Sequence, residues 1–467
     1  MHLENLIEIF KKHLTDEQKN VAKPFKYTFL EVLMNIFSSV KQNLIQHIQT
    51  LDQNKKNFIK TPDRDFTRKR KLTFFDTIML TISMECGTIR SELLKYFSYS
   101  PETATSSAFI QQRDKIKPDA FRSLFYSFSD SFTSESKDGY HYFAVDGSDV
   151  LIPLDGDNET YRYFGREDQR PYHQIHLNAI YNLISNRYAA AYIEPRKGHN
   201  ERKAFDLMFD ENSFPEKSIF IFDRGYEGYP LMAHISQRDQ FFVIRAKDKS
   251  TGGILKGLDL PAKDEFDITF DKILVNNLSL KHKQCPDLYH RVHYSPKSYY
   301  LNESVKEFPL SFRIIRLRLK NGSYECLLTN LPKEEFDVAD LKEIYNSRWG
   351  IETSFRQLKH SIGLLDFHSK KIESIEQEIW ARLILYNYTM IVTANIKERK
   401  NKSRYQCRIN IANAIHICRK FLKSLIDETL PNIEKLISGE LLPVRAERNV
   451  PRNKSILKPR KFNYRVL

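Results

Sequence analysis

Two short apolar runs, Tyr142–Val145 and Ser218–Phe222, each stop on an aspartate: Asp146 before Gly147, and Asp223 before Arg224 and Gly225. Short runs of aromatic and β-branched residues suit strands in the interior of a sheet, and the polar residue that ends each marks the sheet's rim. Around them the pattern alternates. His176–Ile184 and Tyr188–Ile193 read as strands with a turn at Asn186, Glu201–Phe209 and Glu227–Gln237 as helices, and Phe241–Ile244 as a strand. Three strands, helix, strand, helix, strand is the order of an open α/β sheet with helices on its faces. Ligands and catalytic groups gather at the carboxyl ends of strands in such sheets. Taken singly, however, each aspartate reads as a turn residue, because Asp-Gly is a common turn pair.

The flanking regions differ. Residues 1–135 read as helical, with Leu30, Leu33, Ile36, Phe37, Val40, Leu44, Ile45 and Ile48 at helical spacing. From Lys55 to Lys71 there are eight Lys and Arg against two acids. Two short helices, Ile89–Phe97 and Ala104–Ile116, follow around Pro101. They fit either a helix-turn-helix whose Gln111, Gln112, Arg113 and Lys115 face bases or a plain packing unit. Between about Lys247 and Pro332 only strands are expected, at Asp267–Leu274, Phe312–Leu319 and Tyr324–Leu328; helices resume at Val338. The end, Leu441–Leu467, has eight Lys and Arg against one acid and reads as a basic tail.

The chain carries 73 Lys and Arg against 59 Asp and Glu, a balance of +14, which fits a polyanionic partner, nucleic acid before membrane. Five scattered cysteines argue against a disulfide framework. No apolar stretch is long enough for a membrane span. Met1–Lys12, with Glu4 and Glu8, lacks a secretory signal pattern. A soluble, cytoplasmic protein is expected.

A third acid gives the aspartate pair its meaning. In Tyr345–Lys359, at about 100° per residue, Tyr345, Arg348, Glu352 and Lys359 fall within an arc of roughly 60° on one helix face. Ile344, Ile351, Phe355, Leu358 and Ile362 form the adjacent apolar stripe. The plain alternative is an amphipathic helix with a solvated Arg–Glu pair. Gly350 weakens the helix start, so Tyr345 and Arg348 can precede its regular part.

The spacing Tyr-x2-Arg-x3-Glu-x6-Lys resembles the YREK signature of DDE transposases in insertion-sequence family four, the Tn-five-like group. The resemblance extends to Asp146–Ser148, Phe222–Gly225, Leu327–Thr329 and the β-rich stretch before Glu352. It implies an α/β fold: a ribonuclease-H-like catalytic core, with a mixed five-stranded sheet and flanking helices, interrupted by an all-β insertion and flanked by helical N-terminal and C-terminal regions. The expected divisions are 1–135 (DNA-binding), 136–250 and 336–395 (core), 251–335 (insertion) and 396–467 (C-terminal region).

The resemblance also implies Asp146, Asp223 and Glu352 as catalytic residues and metal ligands, and Tyr345, Arg348 and Lys359 as contacts to transposon-end phosphates. Three carboxylates suit two Mg²⁺ ions, with Mn²⁺ as a substitute, about 3.5–4 Å apart in an in-line displacement at phosphorus. Water would cut the transposon end, and the freed 3′-OH would attack target DNA. The partners implied are double-stranded DNA, as terminal inverted repeats and as target, and a second copy of the chain, since two ends must be joined. The implied location is the bacterial cytoplasm, on the nucleoid when DNA is bound. An inactive DNA-binding repressor and a structure-selective nuclease on the same core are the competing functions.

Further residues are less specific. Arg245, at the end of a strand, can reach DNA or simply face solvent. Relatives place an aromatic just before Leu-Leu-Thr to stack on a flipped base; the nearest here is Tyr324, one position off and equally an ordinary strand aromatic. Asp149 is a competing acid near Asp146. The spacing of His282, Cys285, His290 and His293 mimics a zinc site. A strand, however, would put His290 and His293 on opposite faces, so zinc is not expected.

Overall fold

The computed structural model describes residues 26–153, 159–163, 172–285, 287–292, 301, 305–396, 407–423 and 432–444. Five helices lead: α1 (Lys26–Gln53), α2 (Phe74–Ser83), α3 (Ile89–Tyr96), α4 (Ser106–Arg113) and α5 (Pro118–Asp130). Thr73, Thr88 and Thr105 start α2, α3 and α4, each hydroxyl accepting a backbone N–H from three residues on. Pro118 opens α5. Both devices answer the free donors of a first helical turn.

The chain then enters a sheet. β1 (His141–Ile152), β2 (Arg162–Tyr163), β3 (Tyr172–Asn182) and β4 (Arg187–Pro195) are followed by α6 (Glu201–Glu211), β5 (Ser218–Phe222), α7 (Tyr229–Ser236) and β6 (Phe241–Ala246). Next come β7 (Phe266–Val275), a short α8 (Leu280–Gln284), β8 (Tyr289–Arg291), β9 (Glu307–Arg318) and β10 (Tyr324–Thr329). The order across the sheet is β2-β3-β1-β5-β6-β10-β9-β7-β8, with β4 also on β3. β1, β5 and β6 run parallel; β3 and β10 flank them antiparallel. All five residues of β5 are buried, as a strand covered on both faces requires.

The fold departs from expectation in three respects. Its strands form one ten-stranded mixed sheet, not a five-stranded sheet with a separate β segment. β10 pairs with β6 from Thr329↔Val243 to Cys326↔Ala246, which covers an edge that would otherwise expose unpaired backbone groups. The segment between also contains a helix, α8. In addition, β1 does not stop at Val145. It runs on to Ile152 because β3 keeps pairing with it, while the shorter β5 ends opposite Val145.

The remaining helices are α9 (Val338–Ser347), α10 (Trp349–His360), α11 (Ile372–Ala394), α12 (Ile411–Lys423) and α13 (Ile433–Ser438); β11 (Cys407–Ile409) and β12 (Leu441–Pro443) form a small separate pair. Side chains of α10, α11, α12 and the leading helices pack on one face of β1, β3 and β4. On that same side α9 covers β5, β6 and β10, and α6 and α7 cover the opposite face. Among the described residues no helix is long and apolar enough to cross a membrane.

Nearly every residue of α11 is buried, so its polar groups must be partnered within the protein. Asn387 donates to the carbonyl of Tyr188 at 2.8 Å and accepts its N–H at 2.9 Å, which ties α11 to β4. Arg382 donates to the carbonyls of Met84 and Glu85. Arg113 of α4 donates to Gln377 and Glu378, each at 2.8 Å, and to the carbonyl of Ser374. Arg113 is therefore buried and does not face bases. Gln112, also mostly buried, lines a cleft together with Gln111, Lys115 and, from the basic segment, Lys69, Arg70 and Lys71.

Of the zinc-like quartet, His282 stacks on Tyr289 with ring centroids 4.4 Å apart, and His290 lies against Tyr229 at 4.5 Å. His293 lies outside the described residues, as do Met1–Lys12 and most of the basic tail.

Candidate active site

Val145 and Phe222 are partners in the parallel pairing of β1 and β5. The next residues, Asp146 and Asp223, therefore leave neighbouring strands where β5 ends, their backbones separated by about 4.8 Å of sheet spacing. Strand alternation sends both side chains toward the helices of the YREK segment: Ala144 packs with Ile351 and Phe355 of α10, and Ile221 packs with Ile344 and Tyr345 of α9. Asp146 Oδ1 accepts the N–H of Gly147 at 2.9 Å, and Asp223 Oδ1 accepts that of Gly225 at 2.8 Å.

Glu352 lies on the first turn of α10 and is linked to Asp146 through Arg348. Asp337 caps α9 by accepting the N–H groups of Ala339 and Asp340. α10 then starts one residue after α9 ends, with Arg348 between them in helical geometry. A β-carbon on Gly350 would stand 2.7 Å from Leu183, so glycine lets this helix start close against the β3–β4 turn. Arg348 spans the site: one guanidinium nitrogen lies 2.6 Å from Glu352 Oε1 and another 3.4 Å from Asp146 Oδ2. Its Nε is buried without a partner among the described residues.

Burial pushes the Asp146 carboxyl up to about 7, with Asp223 and Glu201 adding to the rise and Arg348 and the Gly147 N–H opposing it. Clustered carboxylates raise one another's proton affinity, and a bound cation relieves that repulsion. The oxygen-only donor set of Asp146, Asp223 and Glu352 suits Mg²⁺ or Mn²⁺ in preference to a softer ion.

The other expected residues divide. Tyr345 is buried, with the guanidinium carbons of Arg245 and Arg348 each 5.9 Å from its ring centroid. Arg245 also lies 3.2 Å from Glu325. Lys359 reaches from α10 to β1, donating to Ser148 Oγ at 2.8 Å and to the carbonyl of Asp149 at 2.7 Å. Tyr324 opens β10 at the same end of the sheet as Ala246, but the Arg316 guanidinium covers its ring at 3.5 Å. Asp149 belongs to another set of contacts, 2.7 Å from both His176 Nδ1 and Arg196 Nε.

Sequence reasoning passed over that second set. Glu201 is the first residue of α6, which Asn200 caps by accepting the N–H of Lys203. Its Oε1 lies 3.1 Å from His176 Nε2. Tyr226 is fully buried just after Asp223. The available signal was positional: a helix starting on an acid, straight after a strand that runs toward the carboxyl ends of β1 and β5.

A family profile described as the transposase DDE domain matches residues 138–388, more than half of the chain. The chain belongs to the DDE transposase family. Within it, the similarity is to the insertion-sequence-four group. A stretch of 155 residues is 28% identical to the transposase InsG for insertion sequence element IS4 of Escherichia coli (strain K12). That stretch covers 31% of this chain and spans only 34% of that relative. The solved synaptic complex of piggyBac transposase with hairpin DNA aligns over 94% of this chain and 89% of its own. Its identity is 10% and its TM-score 0.44, too loose a likeness to place residues. The transposase domain holds β1 to β10 and the Glu352 helix, and so all three acids.

Proposed function

We propose that this chain is a cut-and-paste transposase. It binds the terminal inverted repeats of an insertion sequence, hydrolyses the phosphodiester at the transposon end and joins the freed 3′-OH to target DNA. The observation that supports the reading is that Asp146 and Asp223 follow paired residues of neighbouring strands while Arg348 lies between Asp146 and Glu352, 3.4 Å from one and 2.6 Å from the other. On this reading those three carboxylates are the catalytic residues and hold Mg²⁺, or Mn²⁺ in its place. The bound metal supplies activation of the attacking oxygen and stabilisation of the leaving one.

The remaining groups handle the DNA. Arg348 offers a forked donor to a phosphate, and Lys359 a point charge. Tyr345, with Arg245 and Arg348 each 5.9 Å from its ring, is on this reading a further contact to the DNA backbone, as is Arg245. Tyr324 is the candidate for base stacking once Arg316 moves off its ring. The cleft of Lys69, Arg70, Lys71, Gln111 and Lys115 supports a DNA-binding role for residues 1–135. The part of the sheet around β1, β3, β4, β5 and β6 is read as a ribonuclease-H-like core in residues 136–250 and 336–395, with 251–335 as the insertion and 396–467 as a C-terminal region. Two ends must be processed together, so the working form is a homodimer, in the bacterial cytoplasm and on the nucleoid.

The test combines the full chain with DNA carrying the terminal inverted repeats and Mg²⁺. Asp146→Asn, Asp223→Asn and Glu352→Gln should each cut cleavage by about 10³-fold, roughly 4 kcal/mol of barrier, while DNA binding stays within a few-fold. Undiminished cleavage in all three variants defeats the proposal. Binding without nicking by the natural chain points to a repressor, and nicking without joined products to a nuclease.

A further inference from the structure

We propose that Glu201 is a fourth carboxylate ligand of this metal centre, reaching Asp146 and Asp223 from the opposite side of the sheet end. The proposal rests on the transposase reading above and adds a residue outside the DDE triad. Two glycines show how close Glu201 stands. A β-carbon on Gly147, next to Asp146, would lie 2.9 Å from Glu201 Oε1 and would collide with His176. A β-carbon on Gly225, two residues after Asp223, would lie 3.1 Å from Asp223 Oδ1 and 3.9 Å from Glu201 Oε2. The carboxylate thus occupies a notch bordered by the glycine that follows each aspartate, and any side chain at Gly147 would press it out.

The notch is built, not incidental. Arg202, the neighbour of Glu201, donates to the carbonyl of Gly225 through Nε at 3.1 Å and Nη2 at 2.9 Å, so the start of α6 is pinned to the loop that carries Asp223. On the other side His176, buried on β3, lies 2.7 Å from Asp149 and 3.1 Å from Glu201, which orients the Glu201 side chain. Behind these acids lies the phenol of Tyr226, whose hydroxyl has no hydrogen-bond partner among the described residues. The charges that act on it are Glu201, Asp146, Asp223 and Arg348. A fully buried hydroxyl without a partner is costly. One with carboxylates around it is suited to a polar ligand bound among them.

A separate site for a softer metal fits less well. His176, His199 and Glu201 each offer a ligand atom, all within 4.8 Å of one another. But both nitrogens of His176 already face carboxylates, and Arg196 stands 2.5 and 2.7 Å from the two nitrogens of His199. A cation in that position repels a second one. His176 therefore supports the Glu201 carboxylate, whose two oxygens stand beside Gly147 and Gly225, the glycines near Asp146 and Asp223.

The experiment is Mn²⁺ binding to the full chain, followed by the electron paramagnetic resonance of free Mn²⁺, with Glu201→Gln beside Asp223→Asn. Glu201→Gln should weaken Mn²⁺ binding by about tenfold or more, as Asp223→Asn should. Unchanged affinity in Glu201→Gln with weakened affinity in Asp223→Asn overturns the fourth ligand and leaves the triad standing. Unchanged affinity in both overturns the metal-centre reading together with it. Should Glu201→Gln fail to fold, Fe²⁺-directed hydroxyl-radical cleavage of the natural chain decides. Backbone cuts at 200–202 along with those at 146–147 and 223–225 support the assignment, and cuts without the 200–202 set overturn it.

Discussion

Arg348 and Asp146 are 202 residues apart in the chain, yet a guanidinium nitrogen of one stands 3.4 Å from a carboxylate oxygen of the other. The same guanidinium holds Glu352, so a cation of the protein lies where a divalent metal and a phosphate would also be drawn. Arg348→Ala should consequently bind Mn²⁺ about tenfold more tightly, because a like charge a few ångströms away is removed, and, if Arg348 meets a phosphate as proposed, cleave transposon-end DNA more slowly. Calorimetric Mn²⁺ titration beside a nicking assay measures both. Weaker Mn²⁺ binding in the variant would contradict this account of Arg348.

Gly147 sits within β1, opposite Asn178 of β3, where its missing side chain leaves room for His176 and Glu201. Gly147→Ala should therefore depress DNA cleavage by about tenfold or more through displacement of those groups, with the far-ultraviolet circular dichroism spectrum unchanged. Full cleavage by this variant would show that the notch yields without consequence.

Lys359 donates to Ser148 and to the carbonyl of Asp149. If it also meets a phosphate, Lys359→Ala should flatten the plot of log affinity against log salt by about 0.9. An unchanged slope with a lower melting temperature would mean that the ammonium group only braces β1.

The pair of Arg113 and Glu378, 2.8 Å apart and buried, joins the helical N-terminal region to α11. Arg113→Ala leaves a buried carboxylate with fewer partners and should cost about 3–5 kcal/mol in denaturant unfolding. A loss of DNA sequence preference without loss of stability would restore the base-reading role that the buried side chain argues against.

Glu376 behaves in the opposite sense. Burial, with Glu373 and Asp119 nearby, raises its carboxyl from 4.5 to about 7. The folded chain then holds this proton more tightly than the unfolded chain, so the stability it contributes is present below about 4.5 and is lost as pH rises through about 7. Glu376→Gln keeps the side chain neutral. Its stability advantage over the natural chain should grow between pH 4.5 and 7, then level off at roughly 2 kcal/mol after allowance for partial exposure. A pH-independent difference between the two melting curves would refute the assignment.

Much of the site was legible along the chain because its signals are local. β5 falls at Ser218–Phe222 as its apolar run implies, and Asn186 lies in the turn expected between β3 and β4, where its φ is 53°. The helical period of residues 345–359 sets Arg348 and Glu352 one turn apart, and they meet at 2.6 Å. These features follow from backbone geometry and side-chain period, which neighbouring residues decide among themselves.

Tertiary pairing decided the rest. β1 continues past Asp146 because β3 supplies partners as far as His173, a matter of strand length elsewhere in the chain. The strands of residues 266–329 extend the main sheet because β6 offered an open edge. Arg113 turns inward because Glu378, 265 residues away, lies beside it. Glu201 approaches the aspartates only because α6 is pinned beside the loop after β5. Local sequence determines which segments can be helix or strand and which side chains share a face. Hydrogen bonding between distant strands and the burial of distant charges determine which faces meet, and so which acids come near one another.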